Sequence, residues 1–412
     1  TPSLDQMAHV ASEMKRRGLR QPLLIGGATT SRRHTAVKIA PITDDIVLHV
    51  LDASRAARVV SGLMNPKERE SLDSARRVDQ ERDRQIYQNR RKTPLIDLAI
   101  ARSTRAAWDD SYIPSRPAFT GPRPVDVSVG ELAEYIDWTP FFVTWDMRGR
   151  YPSILDHPQR GQAARELFEN AQQTLSRLAD SLVPRGVYGF FPASSDGDDI
   201  VVYDDNVSPV ERLCMLRQQR QKKNADAPYR CLADLVAPSG HPPDWVGAFA
   251  VTSGHETAAL VADAKSRNDD YEAIMIEALA DRLAEAFAEY LHAQARIDWG
   301  FQDEPGDLQA MIRGNYRGIR PAPGYPACPD HREKQKIWRL LDVQASTGIT
   351  LTESFAMLPA ASVSGLYFQH PSSRYFSIRT IGRDQVEDYA QRQGTSLEQA
   401  HRWLAPYLGY EP

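Results

Sequence analysis

The chain has 412 residues, of which 42% are hydrophobic and 25% charged, with a formal net charge of −4. This is the profile of a globular protein with room for two or three domains, and the slightly acidic balance argues against nucleic acid as a principal partner. No run of about 18 apolar residues is present, so no membrane-spanning helix is expected, and the opening TPSLDQMAHVASEMKRRG lacks the apolar core of a signal peptide.

In chain order, Ser3 followed by Gln6 is a capping-box signature. Met7, Val10, Ala11 and Met14 then recur at helical spacing, and Gly18 is a stop signal. Residues 22–25 form a short apolar run ended by Gly26 and Gly27, which reads as a buried parallel strand. A helix is expected near Thr35–Ile39, a second strand at 46–50, and a third helix capped by Asp52, Ala53 and Ser54 and running to about Met64. This order is the tail of a doubly wound, Rossmann-like α/β sheet, whose ligands sit at the C-terminal ends of strands. Those ends, Gly26 with Gly27 and Leu51 to Ala53, are small enough to admit a large flat or phosphate-bearing ligand. Two strands are too few for such a sheet to be stable, and Thr1-Pro2-Ser3 looks like the turn of a preceding unit. The natural domain is therefore expected to begin upstream of Thr1.

Residues 67–92, KERESLDSARRVDQERDRQIYQNRRK, are dense in charge of both signs, the mark of a solvated helix or linker. Pro114, Pro117, Pro122 and Pro124 signal an extended connection. The expected division is thus 1–65, a linker over 66–124, and a second domain over 125–412. In that domain 131–136 reads as a short helix, 162–182 as an amphipathic helix and 187–191 as a strand. Asp196-Gly197-Asp198-Asp199 turns into a strand at 200–203, completing a hairpin, and lacks the 12-residue pattern of a calcium loop. Residues 245–252 are another apolar strand. Residues 271–297 are a long helix with Ile274, Ala278, Leu283, Ala286, Phe287 and Leu291 on its buried side. Strands at 362–368 and 375–381 and helices at 385–392 and 396–404 close the chain. Strands and helices do not alternate strictly, so the expected class is α+β with a twisted antiparallel sheet.

The most distinctive stretch is RGIRPAPGYPACPDH, residues 317–331. Pro321, Pro323, Pro326 and Pro329 exclude helix and central strand. What remains is a stiff loop bearing Arg320, Tyr325, Cys328, Asp330 and His331. It is either a ligand platform or a proline-rich surface connection, and the residues alone leave both open. No dinucleotide fingerprint, P-loop, nucleophile elbow or H-E-x-x-H is present, so no catalytic residue is assigned. Cys328 and His331, three apart, are a weak ligand pair, and no metal site is assigned. Cys214, Cys231 and Cys328 are too widely spaced for a disulfide framework, and a reducing cytoplasm is the expected home. Asp281 and Glu285 lie one turn apart on a helix face, where a solvated acidic surface is the default reading. Asp137, beside Trp138, could hold an ammonium group and Arg320 a carboxylate, a pair suited to a zwitterionic amino-acid ligand.

The proline loop, with DWTPFF, ADRLAEAFAEYLH, LTESFAMLPAASVSG and the ending QVEDYA…RWLAPYLGY, resembles the activation domain of the cobalamin-dependent methionine synthase family. PLLIGGATTSRRHTAVKI and DASRA resemble the C-terminal half of that family's cobalamin-binding domain, so the fold expected is a partial doubly wound domain followed by an α+β activation domain. The resemblance implies methyl transfer from methyltetrahydrofolate to homocysteine through cobalamin. Methylcobalamin would be the cofactor of the full-length enzyme, and zinc would be confined to an upstream module. It also implies that this chain binds S-adenosylmethionine and serves reductive remethylation of cob(II)alamin, with an electron from a flavodoxin-type donor. On that basis Asp137 would hold the methionine ammonium of S-adenosylmethionine, Arg320 its carboxylate, and Tyr375 and Phe376 the adenosine side. Tyr325 would face cobalamin. Asp281, Glu285 and His331 would lie on the surface that meets the cobalamin domain or the electron donor. Thr1, Ser3 and Ala53 match cobalamin-contacting positions, and Gly26 and Gly27 would lie beside its nucleotide tail. The implied partners are the upstream modules and the electron donor, with neither nucleic acid nor membrane. The D-x-H-x-x-G segment of the family is absent, as are the homocysteine and folate modules, so this chain alone is not expected to make methionine. Gly314 also stands before Asn315-Tyr316 where the family usually has an acidic residue. The rival expectations are an S-adenosylmethionine-sensing module, and a reactivator acting in trans on another corrinoid methyltransferase.

Overall fold

The computed structural model describes residues 2–26, 30–50, 53–91, 94–224, 226–300 and 316–411. They form two compact units, one made of Thr1–Asp97, Gln219–Ala225 and Thr380–Pro412, the other of Leu98–Gln218 and Asp226–Arg379.

In the first unit, β1 (Leu23–Ile25) and β2 (Val47–His49) pair in parallel, with Leu23 opposite Val47 and Ile25 opposite His49. The preceding helix, Pro2–Arg16, already includes Ser3 within its span rather than at its cap, and Gly18 follows it with φ +65°. Ala11, Ile25, Ile39, Ala40 and Val47 make a small core. Thr35–Ile39 is wound as a π-helix where an α-helix is expected. It runs into Pro41, whose missing N–H cannot extend an α-helical ladder. Helix Ala53–Met64 is followed by helix Pro66–Arg91. The latter is less solvated than its charges suggest. Gln80 is buried and donates to Val47 O at 2.8 Å, Arg84 donates to Ala36 O at 3.2 Å, and Asp83 accepts from Arg32 at 2.9 Å. Elsewhere in this unit the fully buried Gln219 donates to Ile96 O and Asp384 and accepts from Gly382 N and Gln385, closing the entry to helix Arg383–Arg392.

The second unit is built on a six-stranded antiparallel sheet in the order β10 (Ser362–Tyr367), β7 (Asp244–Thr252), β4 (Arg185–Asp196), β5 (Asp199–Tyr203) and β6 (Pro209–Cys214), with β3 (Gly121–Asp126) beside β4. Its spine is β4 against β7, in register from Arg185 opposite Thr252 to Ala193 opposite Asp244. The opposite edge of β4 pairs first with β3 and then with β5. Within β3, Pro122 and Pro124 are tolerated because β4 is the only strand paired with it among the described residues, so donors are needed on one side alone. Beyond β5 lies β6. A small hairpin of β8 (Thr350–Leu351) and β9 (Met357–Leu358) precedes β10.

Side chains alternate between two cores, as the pleat requires. Tyr188, Phe190, Trp245, Phe249 and Tyr367 pack with the long helix Asp270–Trp299 and helix Gly161–Leu178. Val187, Phe191, Val246, Leu366 and Phe368 pack on the other face with Ile337 and Leu341 of helix Glu333–Leu341. The Asp196–Asp199 hairpin forms as expected, with Gly197 at φ +63°. Its Asp198 holds an arginine. Arg217, fully buried, donates to Asp198 at 2.7 Å, to both oxygens of Asp234 at 2.8 and 2.6 Å and to Tyr229 O, while Arg102 donates to the other Asp198 oxygen.

Residues 375–381 do not form the strand expected of them. Arg379 adopts φ +61°, which breaks the pleat, and Ile381 makes a single parallel bridge to Leu408. On β7, Gly247 stands opposite Tyr367, and a Cβ there would lie 2.8 Å from Tyr367 Cβ and 3.2 Å from Trp299. Gly247→Ala is expected to destabilise the unit by about 1–3 kcal/mol through overpacking, read as a lower midpoint in urea with an unchanged m-value.

Candidate ligand-binding site

The proline loop supplies few hydrogen bonds of its own, and the sheet supplies the rest. Ile319 and Phe368 exchange backbone hydrogen bonds of 3.2 and 3.1 Å, and Leu366 N donates to Pro321 O at 2.9 Å. The start of the loop therefore lies along the outer edge of β10. A tight turn follows, with Tyr325 N to Ala322 O, Cys328 N to Tyr325 O and Gly324 N to Cys328 O. Gly324 has φ +96°, and a Cβ there would come within 2.1 Å of the His331 ring, so only glycine fits. His331 Nδ1 accepts from Lys334 at 3.1 Å, and burial lowers the pKa of both groups. Cys328 is buried, and burial pushes its thiol well up, away from nucleophilic use.

Arg320 leaves this edge toward the long helix. Its Nη1 donates to Glu289 at 2.8 Å and its Nη2 to the second Glu289 oxygen. Nη1 also reaches Tyr316 Oη at 2.6 Å and His292 Nδ1 at 3.3 Å. Burial opposes the guanidinium charge, but Glu289 outweighs it and holds the pKa above its ordinary value. His292 is buried, and burial with Arg320 and Arg296 beside it keeps its pKa well below the usual range, so the ring is neutral and accepts from Arg320. The imidazole stacks on Tyr367 at 5.0 Å, which stacks on Phe249 at 4.7 Å, while Tyr316 meets His292 edge-on at 4.8 Å. Burial raises the Tyr316 hydroxyl to about 12. On the near side, Arg320 N donates to Tyr375 Oη at 3.1 Å, with Tyr375 59% exposed.

One strut supports the start of the loop. Arg317 donates to Gln369 O at 3.0 Å, and Gln369 holds Ser115 through both N–H and C=O. The Gln369 amide also donates to Asp244 at 3.0 Å. Asp244 accepts further from Ala237 N and Trp245 N, yet burial prevails and raises its pKa from 3.8 to about 6.

Residues 128–394 match the family of the vitamin B12-dependent methionine synthase activation domain. The chain belongs to that family. A crystal structure of the MetH reactivation domain bound to AdoHcy is similar to it, with 51% identity and a TM-score of 0.75 over 77% of this chain and all of that one.

Within this activation domain the residues singled out from sequence separate into groups. Arg320 and Tyr375 are in direct contact. Asp137 is exposed on another element, where it caps helix Trp138–Thr144 by accepting from Thr139 N at 2.9 Å. Phe376 packs on the core beside helix Glu333–Leu341, and Tyr325 projects from the turn, 62% exposed. Asp281 and Glu285 are exposed on the long helix, where partial burial and neighbouring carboxylates raise the Asp281 pKa. Sequence reading missed Glu289, His292 and Tyr316, the three groups that hold Arg320.

In the first unit, Gly26 ends β1 so tightly that a Cβ would meet Val50 O at 3.1 Å. In the same unit, Thr30 Oγ1, Arg33 Nε and His49 Nε2 are buried without hydrogen-bond partners among the described residues. Ser3 and Ala53 lie in helices, while Thr1 and Gly27 fall outside the described residues. Among the described residues, no group of three or more His, Cys, Asp or Glu is placed to hold a metal, and no helix is long and apolar enough to cross a membrane.

Because burial raises the Asp244 pKa above its unfolded value, its stabilising contribution is full below about pH 4 and is lost as pH rises through about 6. Wild type minus Asp244→Asn stability should therefore fall between pH 4 and 7, by roughly 3 kcal/mol at most. Denaturant titrations across that range check it. A flat difference would mean the carboxylate titrates normally.

Proposed function

We propose that this chain binds S-adenosylmethionine at the Arg320–Tyr375 site and serves the reductive remethylation of cobalamin within methionine synthase. The observation that carries this reading is the contact between Arg320 and Tyr375, which joins two residues expected on one ligand and 55 positions apart. The 51% identity to a reactivation domain with AdoHcy bound supports it.

In this reading Arg320 binds the ligand carboxylate and Asp137 its ammonium, while Tyr375 and Phe376 flank the adenosine. The sulfonium is already an activated leaving group, so the protein need supply no acid or base. Its task is to hold the methyl in line with its acceptor, a proximity effect. A rigid edge-paired loop suits that task. Tyr325, exposed at the tip, faces cobalamin, and Asp281, Glu285 and His331 meet the cobalamin domain or a flavodoxin-type electron donor.

The first unit fits half of a doubly wound cobalamin-binding domain. Its orphaned Thr30, Arg33 and His49 atoms suit the amides and phosphate of the cofactor, with Gly26 beside the nucleotide tail and Ser3 and Ala53 at positions that contact cobalamin. When bound, cobalamin supplies the cobalt that accepts the methyl group. Helix Pro66–Arg91 belongs to that unit in this reading, since it is bonded to β2 and to residue 36.

Calorimetric titration with S-adenosylmethionine tests the site. The wild type should bind, and Asp137→Ala should bind at least about tenfold more weakly, the effect of one charged hydrogen bond. Absence of binding by the wild type would sink the reading. A role in turnover is checked by supplying the upstream modules in trans and measuring reductive methylation of cob(II)alamin, which should require this chain.

A further inference from the structure

A guanidinium has two edges that can each take a carboxylate in a bidentate grip: the Nη1–Nη2 end and the Nε–Nη2 side. In Arg320 the end is occupied by Glu289, whose two oxygens meet Nη1 and Nη2. Tyr316 Oη and His292 Nδ1 both engage Nη1, on the far side from Nε. Nε–H has no hydrogen-bond partner among the described residues, where Nη1 and Nη2 make all of the side chain's hydrogen bonds. The Nε–H of the side edge is therefore unpaired among the described residues, while the end edge is filled. The Arg320 and Glu289 side chains are only 16% and 17% exposed, and the Phe249–Tyr367–His292 stack blocks the guanidinium from turning inward.

We infer that Glu289 is a positioning residue. It grips the end of Arg320, fixes the plane of the guanidinium and so presents the Nε–Nη2 edge to the ligand's carboxylate. This rests on the reading of the site as an S-adenosylmethionine site and adds a selection rule to it. Arg320 and Glu289 cancel one another, so the pair that meets the ligand carboxylate carries no net charge before the ligand arrives. A ligand carboxylate then gains a geometric fit but little net attraction, and the ligand must bring its own ammonium for a balancing carboxylate such as Asp137. The pair favours an amino-acid tail over a simple carboxylate.

The test compares S-adenosylmethionine with its decarboxylated analogue, which keeps the ammonium and sulfonium, by calorimetry on the full 412-residue chain. Glu289→Gln should weaken S-adenosylmethionine on the order of tenfold. It should change the decarboxylated analogue by less than about twofold, so that the wild-type preference for the carboxylate collapses. Equal weakening of both ligands would overturn the inference, since Glu289 would then act on another part of the ligand or on the fold at large. Unchanged or tighter S-adenosylmethionine binding would overturn it too, because Glu289 would then be a competitor for Arg320. Should Glu289→Gln fail to fold, Tyr316→Phe removes a second anchor of Arg320 while keeping the ion pair, and should show the same selective loss at a few-fold. If the wild type binds neither ligand, the underlying reading fails and this inference with it. If the wild type binds and only the ligand selectivity of the variants is wrong, this inference alone fails.

Discussion

The hydrogen bonds of Ile319 with Phe368 and of Leu366 with Pro321 lay the proline loop along the edge of β10, and the geometry of the candidate site is referred to that pairing. A segment with four prolines loses four backbone donors and cannot build a ladder of its own. Borrowing a sheet edge gives it a register, and the register fixes where Arg320 leaves the backbone. The same pairing covers part of an otherwise open strand edge, a place where proteins are prone to unwanted association. From there the restraint passes inward. Arg320 meets Glu289 and His292 on the long helix, His292 lies on Tyr367 of β10, and Tyr367 lies on Phe249 of β7.

Two buried arginines show how similar charges can serve different ends. Arg217 is wholly enclosed, with Asp198, Asp234 and Tyr229 O around it, and it closes the hairpin turn onto the segment near residue 231. Replacing one of its carboxylates would strand a buried charge, which is why such clusters persist even where their net contribution to stability is small. Arg320 is held by a comparable set of partners, but its Nε–H has none among the described residues. A closed network specifies structure, whereas a network with one unfilled valence is prepared for something that is not part of the chain.

Much of this was legible beforehand, for reasons that can be named. The long helix and β7 announce themselves through apolar periodicity, and the 196–199 hairpin through an Asp-Gly turn that requires positive φ. β3 was hidden because Pro122 and Pro124 read as linker, and only its edge position makes them acceptable. The strand expected at 375–381 fails at Arg379, a residue type that gives no warning of a left-handed backbone. At the site, Arg320 and Tyr375 could be picked out, but Glu289 could not. It follows Asp281 and Glu285 at four-residue spacing and reads as one more turn of a solvated acidic row, while its partner lies 31 residues away. The row's common spacing conceals that one member faces a different environment.

The charges of this protein also fall into two regimes of ionic screening. On helix Pro66–Arg91 the pairs Arg77–Asp73 and Arg82–Asp79 involve arginines that are 67% and 57% exposed. Such exposed contacts contribute little and weaken further as salt rises. The Arg320–Glu289 pair has little water around it and so little mobile salt to screen it. Changes in ionic strength therefore loosen the surface of that helix while leaving the aim of the guanidinium almost untouched. A change in the surrounding salt thus does not retune the site.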